Sequence, residues 1–104
     1  MKIQNAGKIL EKLIHIAWKR GIKISFVPFK NYNGRVVAVR DEVRIGLRAE
    51  MSLEEYVSVL AHELSHYYLH FDLDILALPV GQQEIYEQQA DRAAQMLLDA
   101  LVIE

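Results

Sequence analysis

The spacing of apolar residues runs from helical to alternating and back to helical along the chain. Between residues 3 and 19, Ile3, Ala6, Leu10, Leu13, Ile14 and Ala17 recur at helical spacing, with Lys8, Glu11, Lys12 and Lys19 set among them. Lys19 and Arg20 suit the last turn of such a helix, and Gly21 its stop. From Ile22 to Pro28 the pattern alternates. Asn33-Gly34 is a strong hairpin signal, and Arg35-Val36-Val37-Ala38-Val39 follows it as a second strand. Arg40-Asp41-Glu42 interrupts that run before Val43-Arg44-Ile45-Gly46-Leu47 resumes it. The pattern predicts three short strands in a meander. In the third, apolar residues alternate with Arg44, Gly46 and Arg48, which suits a half-exposed edge. Trp18 and Phe26 read as core, Arg35 and Arg44 as solvated strand charges, and His15 as a surface or boundary histidine.

Ser52-Leu53-Glu54-Glu55 has the form of a capping box, which starts a second helix running from about Leu53 to about Phe71. The region Asp72 to Gly81 has no clear period and ends in Pro79-Val80-Gly81. It reads as a loop whose oily part, Leu73 to Val80, either covers a cleft or forms a satellite cluster. A last helix, about Gln82 to Val102, turns Ala90, Ala93, Ala94, Leu97, Leu98 and Leu101 to one face. The order is α-β-β-β-α-α, an α+β chain forming a single domain over residues 1–104.

Composition narrows what this domain does. With 104 residues there is material for one modest core, and 52% hydrophobic with 25% charged residues describes a globular chain. A net charge of −2 and an isoelectric point near 6.1 give no electrostatic case for nucleic acid or an anionic membrane as the ligand. With no cysteine there is no disulfide framework and no thiolate ligand or nucleophile, which fits a reducing cytoplasm. The segment Met1-Lys2-Ile3-Gln4-Asn5 lacks the apolar core of a signal peptide, and no run approaches 18 apolar residues.

One stretch disturbs the second helix. Leu60-Ala61-His62-Glu63-Leu64-Ser65-His66-Tyr67-Tyr68 places two histidines and a glutamate where a core helix wants Leu, Ala or Val. His62 and His66 are four apart, so both imidazoles leave one helix face about one turn apart, a separation at which two ring nitrogens reach one zinc ion. Glu63, beside the first of them, is angled off that line and can take a proton from water that the ion acidifies. Shuffling this composition produces the motif roughly once in eighty sequences, so the motif alone is weak. Its setting is stronger: Val59, Leu60, Leu64, Tyr67 and Tyr68 are uncharged, and a good cap precedes it.

A catalytic zinc needs a third protein ligand and an open fourth position. His70, Asp72, Asp74, Glu84, Glu87 and Asp91 are the candidates. His70 lies one more turn along, where the face has rotated by about 80° from His62, so three histidines of one straight helix converge poorly. The longer HExxHxxGxxH pattern is absent, since Leu69 and Asp72 stand at its Gly and His positions. A ligand from an antiparallel last helix is geometrically better.

The segment Val59 to His70, followed by Glu87-Gln88-Gln89-Ala90-Asp91-Arg92-Ala93-Ala94, closely resembles the ImmA/IrrE metallopeptidase family. The preceding helix and strands with Asn33-Gly34-Arg35 share the likeness, which extends from about Ile9 to Leu98. The layout is also similar to the minigluzincins, compact zinc peptidases with a second motif of the form Glu-x-x-x-Asp. This resemblance implies a zincin-like, gluzincin-type fold in which Glu87 is the third zinc ligand and Asp91 supports a ligating histidine from behind. It departs from the family at Ser65, where Gly is usual, and at the end at Glu104, since fuller members carry additional C-terminal or DNA-binding segments.

The implied protein is a cytoplasmic zinc endopeptidase: His62, His66 and Glu87 hold Zn²⁺, Glu63 is general base and then acid, and Asp91 orients a ligand. Tyr67, Tyr68 and His70 are candidate oxyanion donors. The strand Val43-Arg44-Ile45-Gly46-Leu47, read as an edge, is a candidate rail for an extended substrate. For the family the substrate is typically a helix-turn-helix repressor; nucleic acid and membrane are not expected as partners. Two rivals stand beside this reading: a zinc-bound interaction or sensor module that cleaves little, and a latent peptidase with its cleft plugged by the oily loop.

Overall fold

The computed structural model describes residues 5–70 and 75–102. Ile3 and the segment from Phe71 to Asp74, including the candidate ligands Asp72 and Asp74, lie outside the described residues. Helix α1 (Ala6–Lys19) buries Ala6, Ile9, Leu13 and Ala17, a stripe at intervals of three and four. It ends as expected: the N–H groups of Arg20 and Gly21 donate to the carbonyls of Ala17 and Trp18, and Gly21 adopts φ +72°, a conformation without cost only for glycine. Ile14 is turned outward, at 40% exposure, because Ile9 and Ile16 take the places on the core side.

Strands β1 (Ile22–Val27), β2 (Gly34–Val39) and β3 (Glu42–Arg48) form one sheet in the order β1-β3-β2. β3 pairs in parallel with β1, Ile24 opposite Ile45, and antiparallel with β2, Val36 opposite Ile45. The sheet is therefore not a meander. The hairpin turn falls at Arg40-Asp41, with Arg40 at φ +58°, and joins β2 to β3. Asn33-Gly34 is no hairpin turn; residues 28–33 carry the chain past β3 to the opposite edge. The expected edge, Val43 to Leu47, is the central strand, hydrogen-bonded on both sides. Alternation along a strand reports what lies above and below the sheet, and Ile45 and Leu47 are indeed buried on one face while Arg44 is exposed on the other. It carries no information about in-plane neighbours, so the same alternation suits an edge strand and a central one.

Helix α2 (Leu53–His70) begins with the capping box that its sequence implies. The Glu55 N–H donates to Ser52 Oγ and the Ser52 N–H to Glu55 Oε1, each at 3.2 Å. A single 3₁₀ turn, Ile75–Ala77, precedes α3 (Val80–Val102), which buries Ala90 and Ala94 and packs Leu97, Leu98 and Leu101 against the core. That core lies between α1, α2 and one face of the sheet, around Leu13, Ile45, Leu47, Val57, Leu60 and Leu64. Trp18 and Phe26 do not belong to it. Trp18 is 73% exposed beside His15, and Phe26 is 61% exposed with its ring edge against Tyr56. Among the described residues no helix is long and apolar enough to cross a membrane.

Candidate metal centre

α2 presents His62 and His66 toward α3, and α3 answers with Glu87. The Nε2 atoms of His62 and His66 lie 2.8 and 3.0 Å from the same oxygen, Glu87 Oε2. All three potential ligand atoms fall within 4.8 Å of one another, the convergence a single cation needs. Each imidazole is also held from behind. His62 Nδ1–H donates to Asp91 Oδ1 at 2.8 Å, and Asp91 follows Glu87 by one helical turn, so one face of α3 supplies both contacts. His66 Nδ1 lies 3.1 Å from Nδ1 of His70, whose Nε2 lies 2.8 Å from Gln89 Oε1. Two nitrogens and a carboxylate oxygen with backed outer nitrogens form a donor set that fits a divalent transition metal such as zinc.

Glu63 sits beside this cluster, buried at 8% exposure. Burial raises its carboxyl to about 7, Glu87 pushes the same way, and His62, the Val36 N–H and Arg35 oppose. Burial likewise lowers His66, outweighing the pull of Glu87, which favours the neutral ring a metal requires. For Glu87, burial acts upward, but the hydrogen bonds and charges of His66 and His62 prevail and hold it below the ordinary glutamate value. The charge of Glu87 repels that of Glu63, a repulsion that a cation held by Glu87 would relieve.

The cleft beside His62, Glu63 and Glu87 has a volume of about 420 Å³ and is lined on its other side by Asn31, Tyr32 and Asn33 and by Gly34 at the start of β2. Gly34 explains how β2 comes so close to α2. A methyl group there would lie 2.5 Å from Val59 Cγ1 and 3.0 Å from Glu63 Cγ. β2 is the free edge on this side. Arg48 N–H donates to the Asn33 carbonyl, which sets the ladder phase: Arg35 and Val37 bond to β3, while Gly34, Val36 and Ala38 turn their N–H and C=O groups outward. The outward Val36 N–H is the one that reaches Glu63.

The three groups read from sequence as oxyanion donors do not line this cleft. Tyr68 faces the end of α1, with the Arg20 guanidinium 5.4 Å from its ring centre. Tyr67 packs on the core cluster. His70 is buried with both ring nitrogens engaged. The phenol that does line the cleft is Tyr32, which the sequence pattern conceals because Asn33-Gly34 beside it reads as a hairpin turn. Of the oily loop, residues 75 and 77–80 are not among the cleft-lining residues; Leu73 and Asp74 lie outside the described residues. Ser65, the departure from the glycine usual in the family, is accommodated by donating its hydroxyl to the Ala61 carbonyl at 2.8 Å.

Residues 17–98, well over half of the chain, match the IrrE N-terminal-like domain, a peptidase family. The chain belongs to this family. No curated protein and no solved structure matches it. The matched span contains the whole sheet, α2, and the turns of α3 that carry Glu87 and Asp91, so family membership and the convergent cluster concern the same part of the molecule.

Proposed function

We propose that this IrrE-like domain is a zinc-dependent endopeptidase. One observation carries the reading: His62, His66 and Glu87 converge on a single point, and His62 and Glu87 line a cleft that also holds a buried carboxylate, Glu63, in a chain of a peptidase family. A zinc ion held by those three residues would act as a Lewis acid on the scissile carbonyl and make water more acidic. The chain's own residues do the rest. Asp91 keeps the proton of His62 on Nδ1, so that Nε2 faces the cluster. Glu63, raised toward neutrality, is poised to take a proton from water and return it to the leaving amine nitrogen. The substrate we propose is an intracellular protein in the cytoplasm, with a helix-turn-helix repressor as the first candidate that the family resemblance suggests.

Purified protein is expected to hold about one zinc per chain. Elemental analysis finding no divalent metal, even after zinc addition, would overturn this. Glu87→Ala is expected to weaken zinc binding far more than Glu84→Ala, which removes an exposed carboxylate from the same helix outside the cluster. Equal losses in a chelator competition would refute the ligand assignment.

With β3 buried in the sheet, the backbone available to an extended substrate is the outer side of β2. Ala38→Pro removes an outward N–H and is expected to leave folding and zinc content intact while lowering cleavage. Val37→Pro removes an N–H that bonds to β3 and is expected to unfold the sheet. Normal cleavage by a folded Ala38→Pro protein would eliminate β2 as the rail.

A further inference from the structure

His66 turns Nε2 to the ligand cluster, so its other nitrogen decides whether a lone pair or a proton faces the metal position. A neutral imidazole has one N–H and one lone pair. Because His66 Nδ1 lies 3.1 Å from His70 Nδ1, one of the two must donate and the other accept. His70 is tied in turn to Gln89 on α3, Nε2 to Oε1 at 2.8 Å, so the three protonation patterns are linked. In one sense, His70 Nε2–H donates to the Gln89 carbonyl oxygen, and His66 Nδ1–H donates to the lone pair on His70 Nδ1. The Nε2 lone pair of His66 then faces the cluster. In the opposite sense, the Gln89 amide donates to His70 Nε2, His70 Nδ1–H donates to His66, and His66 Nε2–H donates to Glu87 Oε2 at 3.0 Å. Exchanging the two takes a rotation of the Gln89 carboxamide and the move of one proton between the nitrogens of each ring, from Nε2 to Nδ1 in His70 and from Nδ1 to Nε2 in His66.

We propose that His70 and Gln89 are positioning residues that set the tautomer of His66, and that the two-faced amide of Gln89 lets this line run one way with a cation in the cluster and the other way without it. The proposal rests on the metal reading above for its purpose, but not for its geometry. The two histidines are treated differently. Asp91 can only accept, so it favours a proton on His62 Nδ1 whether or not a cation takes up Glu87, whereas a glutamine both donates and accepts. His70 suits no role at the substrate: it is 6% exposed, and Tyr86 packs its ring edge-on at 4.9 Å between centres. Gln89, by contrast, is exposed on α3, so its side chain can be changed without opening the core.

The test has two readouts. Imidazole nitrogen NMR at mildly alkaline pH reports each histidine's tautomer in the metal-free chain. Gln89→Glu, which only accepts, is expected to place the His66 proton on Nδ1; Gln89→Lys, which only donates, is expected to place it on Nε2. Zinc affinity from chelator competition is the second readout. His70→Phe is expected to weaken binding by about 10- to 100-fold, Gln89→Lys by about tenfold, and Gln89→Glu not at all. The same charges placed at the neighbouring exposed Gln88 control for long-range attraction and are expected to change little. An identical His66 tautomer in Gln89→Glu and Gln89→Lys would overturn the proposal, as would wild-type zinc affinity in a folded His70→Phe protein. If His70→Phe does not fold, the two Gln89 variants still decide. If no variant and no wild type binds zinc, the metal reading falls while the tautomer spectra still judge the relay.

Discussion

Replacing Glu63 with glutamine is expected to cut peptide hydrolysis by about 10²- to 10⁴-fold, the range for loss of a general base, with zinc still bound. The substitution keeps the shape of the side chain and an oxygen for the Val36 N–H, but removes the proton acceptor. It is also expected to stabilise the metal-free protein, with a pH dependence of known sign. In the unfolded chain this carboxyl titrates at 4.5, and in the folded chain burial raises it to about 7. Between those values the native state holds a proton that the unfolded state has lost, so stability falls as pH rises. The full loss, reached above pH 7, is about 3 kcal/mol. Glutamine carries no such cost. Thermal melts of chelator-stripped protein should show no advantage for Glu63→Gln below pH 4.5 and the largest advantage above pH 7. A difference independent of pH would refute the buried charge. Biological function that persists in a non-cleaving Glu63→Gln protein would favour the interaction module over the peptidase. A latent peptidase would instead show full metal loading without cleavage in the wild type.

Gly34→Ala is expected to destabilise the fold by about 1–3 kcal/mol and to lower activity, because the new methyl overlaps Val59 and crowds Glu63. The nearest atom, Val59 Cγ1 at 2.5 Å, belongs to a β-branched side chain with little freedom in a helix, so the strand or the helix has to shift. Either movement changes the relation between Glu63 and the edge of β2. Removing the obstacle should undo the damage: Gly34→Ala combined with Val59→Ala is expected to regain stability relative to the sum of the single changes. A double-mutant cycle from denaturant melts measures that coupling. Simple additivity would mean that the close approach of β2 to α2 is not what requires glycine here.

Features that depend on near neighbours in the chain were legible before any tertiary structure. The capping box at Ser52 and Glu55, the stop at Gly21, and the projection of His62 and His66 from one helix face all follow from three- or four-residue spacings, which helix geometry converts directly into distance. Glu87 and Asp91 were legible only through family resemblance, since nothing in local spacing tells which face of α3 meets α2. The strand order was not legible. Side-chain alternation senses the two faces of a sheet, while neighbours within the sheet are chosen by backbone groups that every residue carries alike, so β3 looked like an edge and is the centre. Trp18 shows the same limit in a helix: its apolar character was plain, but whether a partner covered it depended on elements distant in sequence. The tertiary structure alone joined His70 to Gln89 and brought Gly34 against Glu63, because both contacts form between elements whose approach is set by packing of the common core.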